Sequence, residues 1–232
     1  MCTLTVKRED DHILVTMNRD EKKDRAQERP PYKWVSPEIF APQDSKGLGT
    51  WAAINPKGRI ACLLNGYQEQ DLNADILKSR GEIIPSILSA EDSCEAAKRI
   101  EADQYASFDL FVIDGGNLKH YCWNGQDYTH RQIDAQEWFF FTSSSWNSKS
   151  VKQSRQKAYE DWYGRGALIE NSLPHIHIYE SDDLSAYSVL MEREDACTKS
   201  ITQFECHNGE KLLRYWSDPH RNRGKFEEFS VI

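Results

Sequence analysis

The amino-terminal stretch limits the fold most strongly. Cys2, Leu4 and Val6 alternate with Thr3 and Thr5, and Ile13, Val15 and Met17 alternate with Leu14, Thr16 and Asn18. Period-two patterning on both sides of the polar run Glu9-Asp10-Asp11 predicts an antiparallel β-hairpin. Such pairing returns Asn18-Arg19-Asp20 to the neighbourhood of Cys2. A thiol, a guanidinium, a carboxylate and an amide are therefore expected together at one strand end.

Chemistry at this point depends on one processing step. Cysteine is small enough for methionine aminopeptidase to remove Met1, which leaves Cys2 with both a thiol and a free α-amine. Their ordinary pKa values are ~8.5 and ~7.7–8.0. A neutral amine on the same residue can take the thiol proton, and the thiolate is the attacking form. No histidine is needed, and none lies near Cys2, Arg19 or Asp20 except His12 at the far end of the hairpin. The bland alternative is that Cys2 is simply the second residue of an edge strand.

Composition narrows the class. With 232 residues, 39% of them hydrophobic and 11% aromatic, the chain can bury a substantial core. The reading is one domain, 1–232, with a mobile tail over 217–232. A net charge of -8 argues against nucleic acid as a partner, because phosphate binding needs a basic footprint. Six cysteines without C-x-x-C spacing read as reduced thiols in a cytoplasmic protein. No signal sequence, repeat or transmembrane-length apolar run is present. Oligomeric state is not legible.

Further along, 22–31 reads as a charged irregular loop ending in Pro30-Pro31, and Pro37, Pro42 and Gly47 punctuate the next stretch. Residues 51–54 and 59–65 read as strands joined by an Asn55-Pro56-Lys57-Gly58 turn. Asp75 to Leu88 is helix-like, with Pro85 disturbing its end, and Ser89 with Asp92 resembles a capping box. Strands are expected over 108–114, 119–123, 138–142, 197–204 and 211–216, with Asn124-Gly125 and Asn208-Gly209 as turns. Ser150 to Leu168 reads as a charged helix carrying Val151, Ala158, Trp162 and Leu168 on one side. If Pro174-His175-Ile176-His177 is extended, the two imidazoles share a face. No third ligand lies near, so they read as surface or packing histidines, and neither metal nor cofactor is expected.

Five blocks together resemble a known family. Cys2 with Asn18-Arg19-Asp20-Glu21, then Arg25, Gly49-Thr50-Trp51, Lys57-Gly58-Arg59-Ile60-Ala61 with Leu64-Asn65, and Ser79-Arg80-Gly81-Glu82 are similar, in order, to the NRDE-motif family of the transport and Golgi organisation protein 2 type. That family resembles N-terminal-nucleophile hydrolases such as bile-salt hydrolases and penicillin V acylases. The resemblance implies an α+β fold, a four-layer αββα sandwich of two antiparallel sheets with outer helices.

It also implies hydrolysis of an amide-type C–N bond in a small acyl or amide substrate, through a thioester acyl-enzyme. Cys2 would be the nucleophile, Asp20 would position its amine, and Asn65 would steady the oxyanion. Asn18, Arg19 and Arg25 would orient Asp20 or bind substrate, with Ser144 and Lys199 as further contacts. Three positions depart from the hydrolase pattern. Met17 and Lys199 stand where arginine is usual, and Ser144 where asparagine is usual. The family name implies an alternative: a non-catalytic carrier of an acyl-CoA, lipid or haem group in secretion or Golgi organisation. A third reading is an oxidant-sensing thiol at Cys2.

Overall fold

The structure is a computed structural model that describes residues 2–66, 77–134 and 137–232. The strands are β1 (Cys2–Glu9), β2 (His12–Lys22), β3 (Arg29–Trp34), β4 (Ile39–Gln43), β5 (Ala52–Ile54), β6 (Ile60–Asn65), β7 (Phe108–Asp114), β8 (Asn117–Trp123), β9 (Tyr128–Ile133), β10 (Trp138–Ser143), β11 (Ile169–Glu170), β12 (Leu173–Pro174), β13 (Ala196–His207), β14 (Glu210–Trp216) and β15 (Glu227–Ser230). The helices are α1 (Ile83–Leu88), α2 (Ser93–Lys98) and α3 (Ser148–Gly164). One sheet has the order β10-β1-β2-β13-β14-β15 and the other β3-β4-β5-β6-β7-β8-β9, with β11-β12 as a separate ribbon. Neighbouring strands pair antiparallel, the predicted hairpin β1–β2 among them.

Strand alternation builds the layers. In β6, Ile60, Cys62 and Leu64 face the other sheet, where they meet Leu4, Val6, Val15, Met17 and Phe204. The intervening Ala61 and Leu63 face outward onto Ile83, Ile84 and Ile87 of α1 and Cys94 and Ala97 of α2. A strand buried on both faces must read as a continuous apolar run, and this one does. On the far side, Ala158 and Trp162 of α3 pack with Leu14 and Trp138 on the outer face of the first sheet. Helices, sheet, sheet and helix give the expected αββα sandwich.

Several local expectations are corrected. β3 begins inside the stretch read as loop, and β4 lies in the proline-punctuated stretch that follows it. Pro30 and Pro31 lie in β3, the end strand of its sheet, where a missing ladder donor is tolerated. Pro85 sits in the first turn of α1 instead of near its end, and first-turn amides have no intrahelical partner to lose. Asp75 and Ile76, part of that predicted helix, lie outside the described residues. Ser89 is the C-cap of α1, and Asp92 is the N-cap of α2, accepting from the amides of Cys94 and Glu95. Leu168 falls beyond α3 and is exposed. Within 217–232, Glu227–Ser230 pair with β14 and Val231 is buried. Among the described residues, no helix is long and apolar enough to cross a membrane.

His175 and His177 are not an extended pair. They occupy a 3-10 turn, with His175 beside Glu170 and His177 fully buried. Asn18 donates its amide N–H groups to the carbonyls of His177 and Val189, at 2.9 and 3.0 Å. Its Oδ1 therefore faces His177 Nδ1 at 2.6 Å. An amide oxygen only accepts, so Nδ1 carries the proton, and Nε2 accepts from the Thr5 hydroxyl at 2.7 Å. Burial pushes this imidazole down to about 3, against ~6.5 in the unfolded chain. Between those values the unfolded chain holds a proton that the folded chain does not, so stability falls as pH drops through that window. Urea unfolding from pH 7.5 to 4.5 should show this loss at up to ~1.4 kcal/mol per pH unit from this one group. In His177→Gln that contribution should vanish and the profile should flatten.

Candidate active site

The register of β1 places the thiol. Cys2 lies opposite Arg19 on β2 and opposite Ser143 on β10. Directly opposed residues in an antiparallel pair share a face. Cys2 therefore points into the sandwich with Leu4 and Val6, flanked by Arg19 and Ser143. The Ser143 hydroxyl is buried and has no hydrogen-bond partner among the described residues. Cys2 is 6% exposed, and it forms part of the wall of a cavity of about 410 Å³ that Arg19, Asp20, Arg25 and Asn65 also line. Burial pushes the thiol above its ordinary range. The positive amino terminus opposes that shift, the Asp20 charge adds to it, and hydrogen bonding to the Asp20 backbone and the charge of Arg19 oppose it.

Asp20 is one residue past Arg19, so its side chain takes the other face of the sheet, toward α3. There its carboxylate is fully buried, accepting from Thr198 Oγ1 at 2.6 Å and from Arg155 Nη2 at 3.3 Å. Arg155 Nη1 also donates to the hydroxyls of Thr3 and Thr142, each at 3.1 Å. One guanidinium thus ties α3 to β1, β2 and β10. The spacing Val151-Arg155-Ala158-Trp162 put this arginine on the buried stripe of its helix, a signal legible in the sequence but masked by the charged residues around it.

The opposite wall is organised by Asp44, which the sequence did not single out. Its Oδ2 accepts from Arg19 Nη2 at 2.9 Å and Arg25 Nε at 3.1 Å, and its Oδ1 from Arg25 Nη2 at 2.8 Å. Burial works against the Asp44 charge, but hydrogen bonds from Arg25 and the Gly47 amide, with the charges of both arginines, hold its carboxyl below the usual range. Arg19 also reaches buried Glu28 at 3.4 Å and lies 4.4 Å over the Trp51 ring. Glu28 in turn accepts from the Tyr215 hydroxyl at 3.1 Å.

Two glycines close this wall by backbone contact. A Cβ on Gly49 would lie 2.4 Å from the Gly81 carbonyl carbon, and the Thr50 amide donates to the Gly81 carbonyl at 3.0 Å. The Gly-Thr-Trp and Arg-Gly-Glu blocks, distant in sequence, are thereby one structural unit. Similarly, the Gly66 amide and Arg80 Nη1 both donate to the Ser107 carbonyl, at 2.9 and 2.7 Å. This fixes the chain just after Asn65.

Three predicted residues stand outside the cavity wall. Asn18 faces away, on His177. The Ser144 hydroxyl donates to the Trp146 carbonyl at 2.7 Å. A bulge between Thr198 and Ser200 takes Lys199 out of the β13–β2 register, and its ammonium donates to the carbonyls of Lys23 and Arg25.

Two solved structures share this fold. The Caenorhabditis elegans N-acylethanolamine-hydrolyzing acid amidase ortholog is similar over 87% of this chain and 92% of its own, with 12% identity and a TM-score of 0.58. Penicillin V acylase from Agrobacterium tumefaciens is similar over 94% of this chain and 83% of its own, with 12% identity and a TM-score of 0.55. No curated protein sequence matches the chain significantly. The profile of the family "Transport and Golgi organisation 2" matches residues 1–186, and the chain belongs to that family.

Two variants test this architecture. Arg155→Met removes the cation beside a fully buried carboxylate and should cost ~3–5 kcal/mol in urea unfolding. Gly49→Ala forces the two motif loops apart and should cost ~1–3 kcal/mol. A cost below ~0.5 kcal/mol in either would contradict the packing described.

Proposed function

We propose that the chain is an N-terminal-cysteine hydrolase of amide-type C–N bonds, active once Met1 is removed; Met1 itself lies outside the described residues. The observation that carries this reading is the position of Cys2 opposite Arg19, at a cavity shared with Asp20 and Asn65. The freed α-amine, in its neutral form, takes the thiol proton. The sulfur attacks the substrate carbonyl, and Asn65 donates to the resulting oxyanion, a contact worth ~2.7–4 kcal/mol in comparable sites. Collapse breaks the C–N bond, and the ammonium returns its proton to the leaving amine. Water, deprotonated by the same amine, then cleaves the thioester and restores the thiol.

The pleat of β1 and β2 divides the labour. Thiol and Asp20 carboxylate occupy opposite faces of the sheet, so the carboxylate acts on the amine at the strand end and not on the sulfur. Arg155 and Thr198 hold that carboxylate still, which fixes the amine it orients. Arg19 faces the sulfur and favours the thiolate. Beside the Arg25–Asp44 pair and Glu21, the cavity wall carries Lys78 and Arg80, which suits a substrate with a polar, anionic end near the scissile bond. In this reading Lys199 steadies the backbone that carries Arg25, while Asn18 and Ser144 serve packing away from the cavity.

The burial of the sulfur favours a second reading, a carrier that uses the same cavity for an acyl-CoA, lipid or haem group. It counts against an oxidant-sensing thiol, which needs exposure and a lowered pKa.

Three measurements separate these readings. Intact mass should show loss of Met1. A panel of short acyl amides, with and without a carboxylate on the acyl group, should be hydrolysed by the wild type, and Cys2→Ala should lower the rate at least ~10³-fold. Retained Met1, or turnover unchanged in Cys2→Ala, would end the hydrolase reading. A ligand that co-purifies equally with both proteins would favour the carrier.

A further inference from the structure

A second cluster of ligating side chains lies away from the Cys2 cavity. Asp109 on β7 is directly opposite Cys122 on β8, and His120 is two residues before Cys122 on the same face. One carboxylate oxygen, one imidazole nitrogen and one sulfur all come within 4.8 Å of one another. His120 Nε2 is 2.7 Å from Asp109 Oδ1. The face is the inner one, at the flank of the sandwich. The His120 ring lies 4.5 Å from Phe111 at an interplanar angle of 5°, and 5.5 Å from Phe141. His120 is buried, while Asp109 and Cys122 are half-buried, so the cluster is held firmly yet open to solvent.

We propose that Asp109, His120 and Cys122 form a binding site for one divalent transition-metal ion, of the zinc type. The donor set is mixed. Thiolate and imidazole suit a borderline-soft ion and disfavour magnesium and calcium, which take oxygen ligands. A thiolate and a carboxylate balance the two charges of the ion. Three protein ligands leave the fourth tetrahedral position for water or a small ligand.

The geometry needs little change. Bonds of about 2.0–2.3 Å in a tetrahedron space the donors by about 3.3–3.8 Å. The histidine–aspartate contact opens by under ~1 Å, and the sulfur closes by a similar amount through side-chain rotation. Stacking on Phe111 already fixes the plane of the imidazole. In the metal-free protein, the protons of His120 and Cys122 occupy the space that the ion would fill. Burial and the charge of Asp109 push the Cys122 thiol up to about 11, so binding near neutral pH must displace its proton. The metal–sulfur bond forms as the S–H bond breaks, one proton leaves to solvent, and the neutral imidazole moves its proton to Nδ1.

Cobalt(II) reports on such a site directly. Titration of the metal-stripped full-length chain should saturate at one equivalent, with a thiolate-to-cobalt charge-transfer band in the near ultraviolet and visible bands of tetrahedral intensity. Zinc should displace the cobalt, and excess magnesium should not. Cys122→Ser should lose the charge-transfer band, and Asp109→Asn and His120→Gln should each weaken cobalt binding at least ~10-fold. Cys2→Ala should bind as the wild type does, which keeps this test independent of the hydrolase reading. Circular dichroism of each variant checks that it is folded, and if Cys122→Ser is not, the other two variants decide. A missing band, a band that persists in folded Cys122→Ser, or binding unaffected by Asp109→Asn and His120→Gln would overturn the proposal.

Discussion

The buried guanidinium of Arg155 is the contact on which the arrangement around Cys2 rests. It leaves α3, enters the outer face of the first sheet, and donates to Thr3, Thr142 and Asp20, one residue from each of β1, β10 and β2. A fully buried cation is costly unless its donors are met and its charge is balanced. Two hydroxyls and one carboxylate meet that demand at Nη1 and Nη2, while Nε has no hydrogen-bond partner among the described residues. The same contacts pin the three strands whose register places Cys2 between Arg19 and Ser143. Helix docking, strand register and the position of the thiol are thus tied to one polar network within an apolar layer.

A second network, around Asp44, shapes the space into which the thiol opens. One carboxylate holds two arginines, and those arginines would otherwise repel each other across the cavity mouth. Glu28 and the ring of Trp51 steady Arg19 from two further directions. The backbone contact of Gly49 with Gly81 then sets the distance between the loops that bear these groups. Much of what looks like a catalytic motif in the sequence is, in three dimensions, scaffolding of this kind. Asn18 is the clearest case, since every polar atom of its side chain is spent on holding His177 and the segment after α3.

Strand pleat explains why adjacent motif residues have different work. Asn18 and Asp20 face the helix layer, while Met17 and Arg19 face the other sheet. Proximity in sequence therefore brings the carboxylate to the strand end and keeps it off the sulfur. A lysine at position 199 serves the wall from outside, because a bulge turns it out of the sheet at the place where an in-register residue would have faced inward or outward with its neighbours.

Period-two alternation in the first strands, the continuous apolar run of β6 and the turn residues at Asn55, Asn124 and Asn208 were enough to predict the opening hairpin and the strands β5 to β8, β10, β13 and β14, because pleat and turn geometry are local; β3, β4, β9 and β15 were missed. The motif blocks likewise pointed to Cys2, Arg19, Arg25, Asp20 and Asn65 around one space. Tertiary structure alone decided which side of each sheet a residue served. It brought Asp44 to both arginines, sent Asn18 and Lys199 away from the cavity, and folded Pro30-Pro31 into an edge strand. Asp109, His120 and Cys122 meet across the β7–β8 hairpin, a local pairing, whereas the Asp44, Asn18 and Lys199 contacts join separate elements and are chosen by packing and charge balance, which no local pattern encodes.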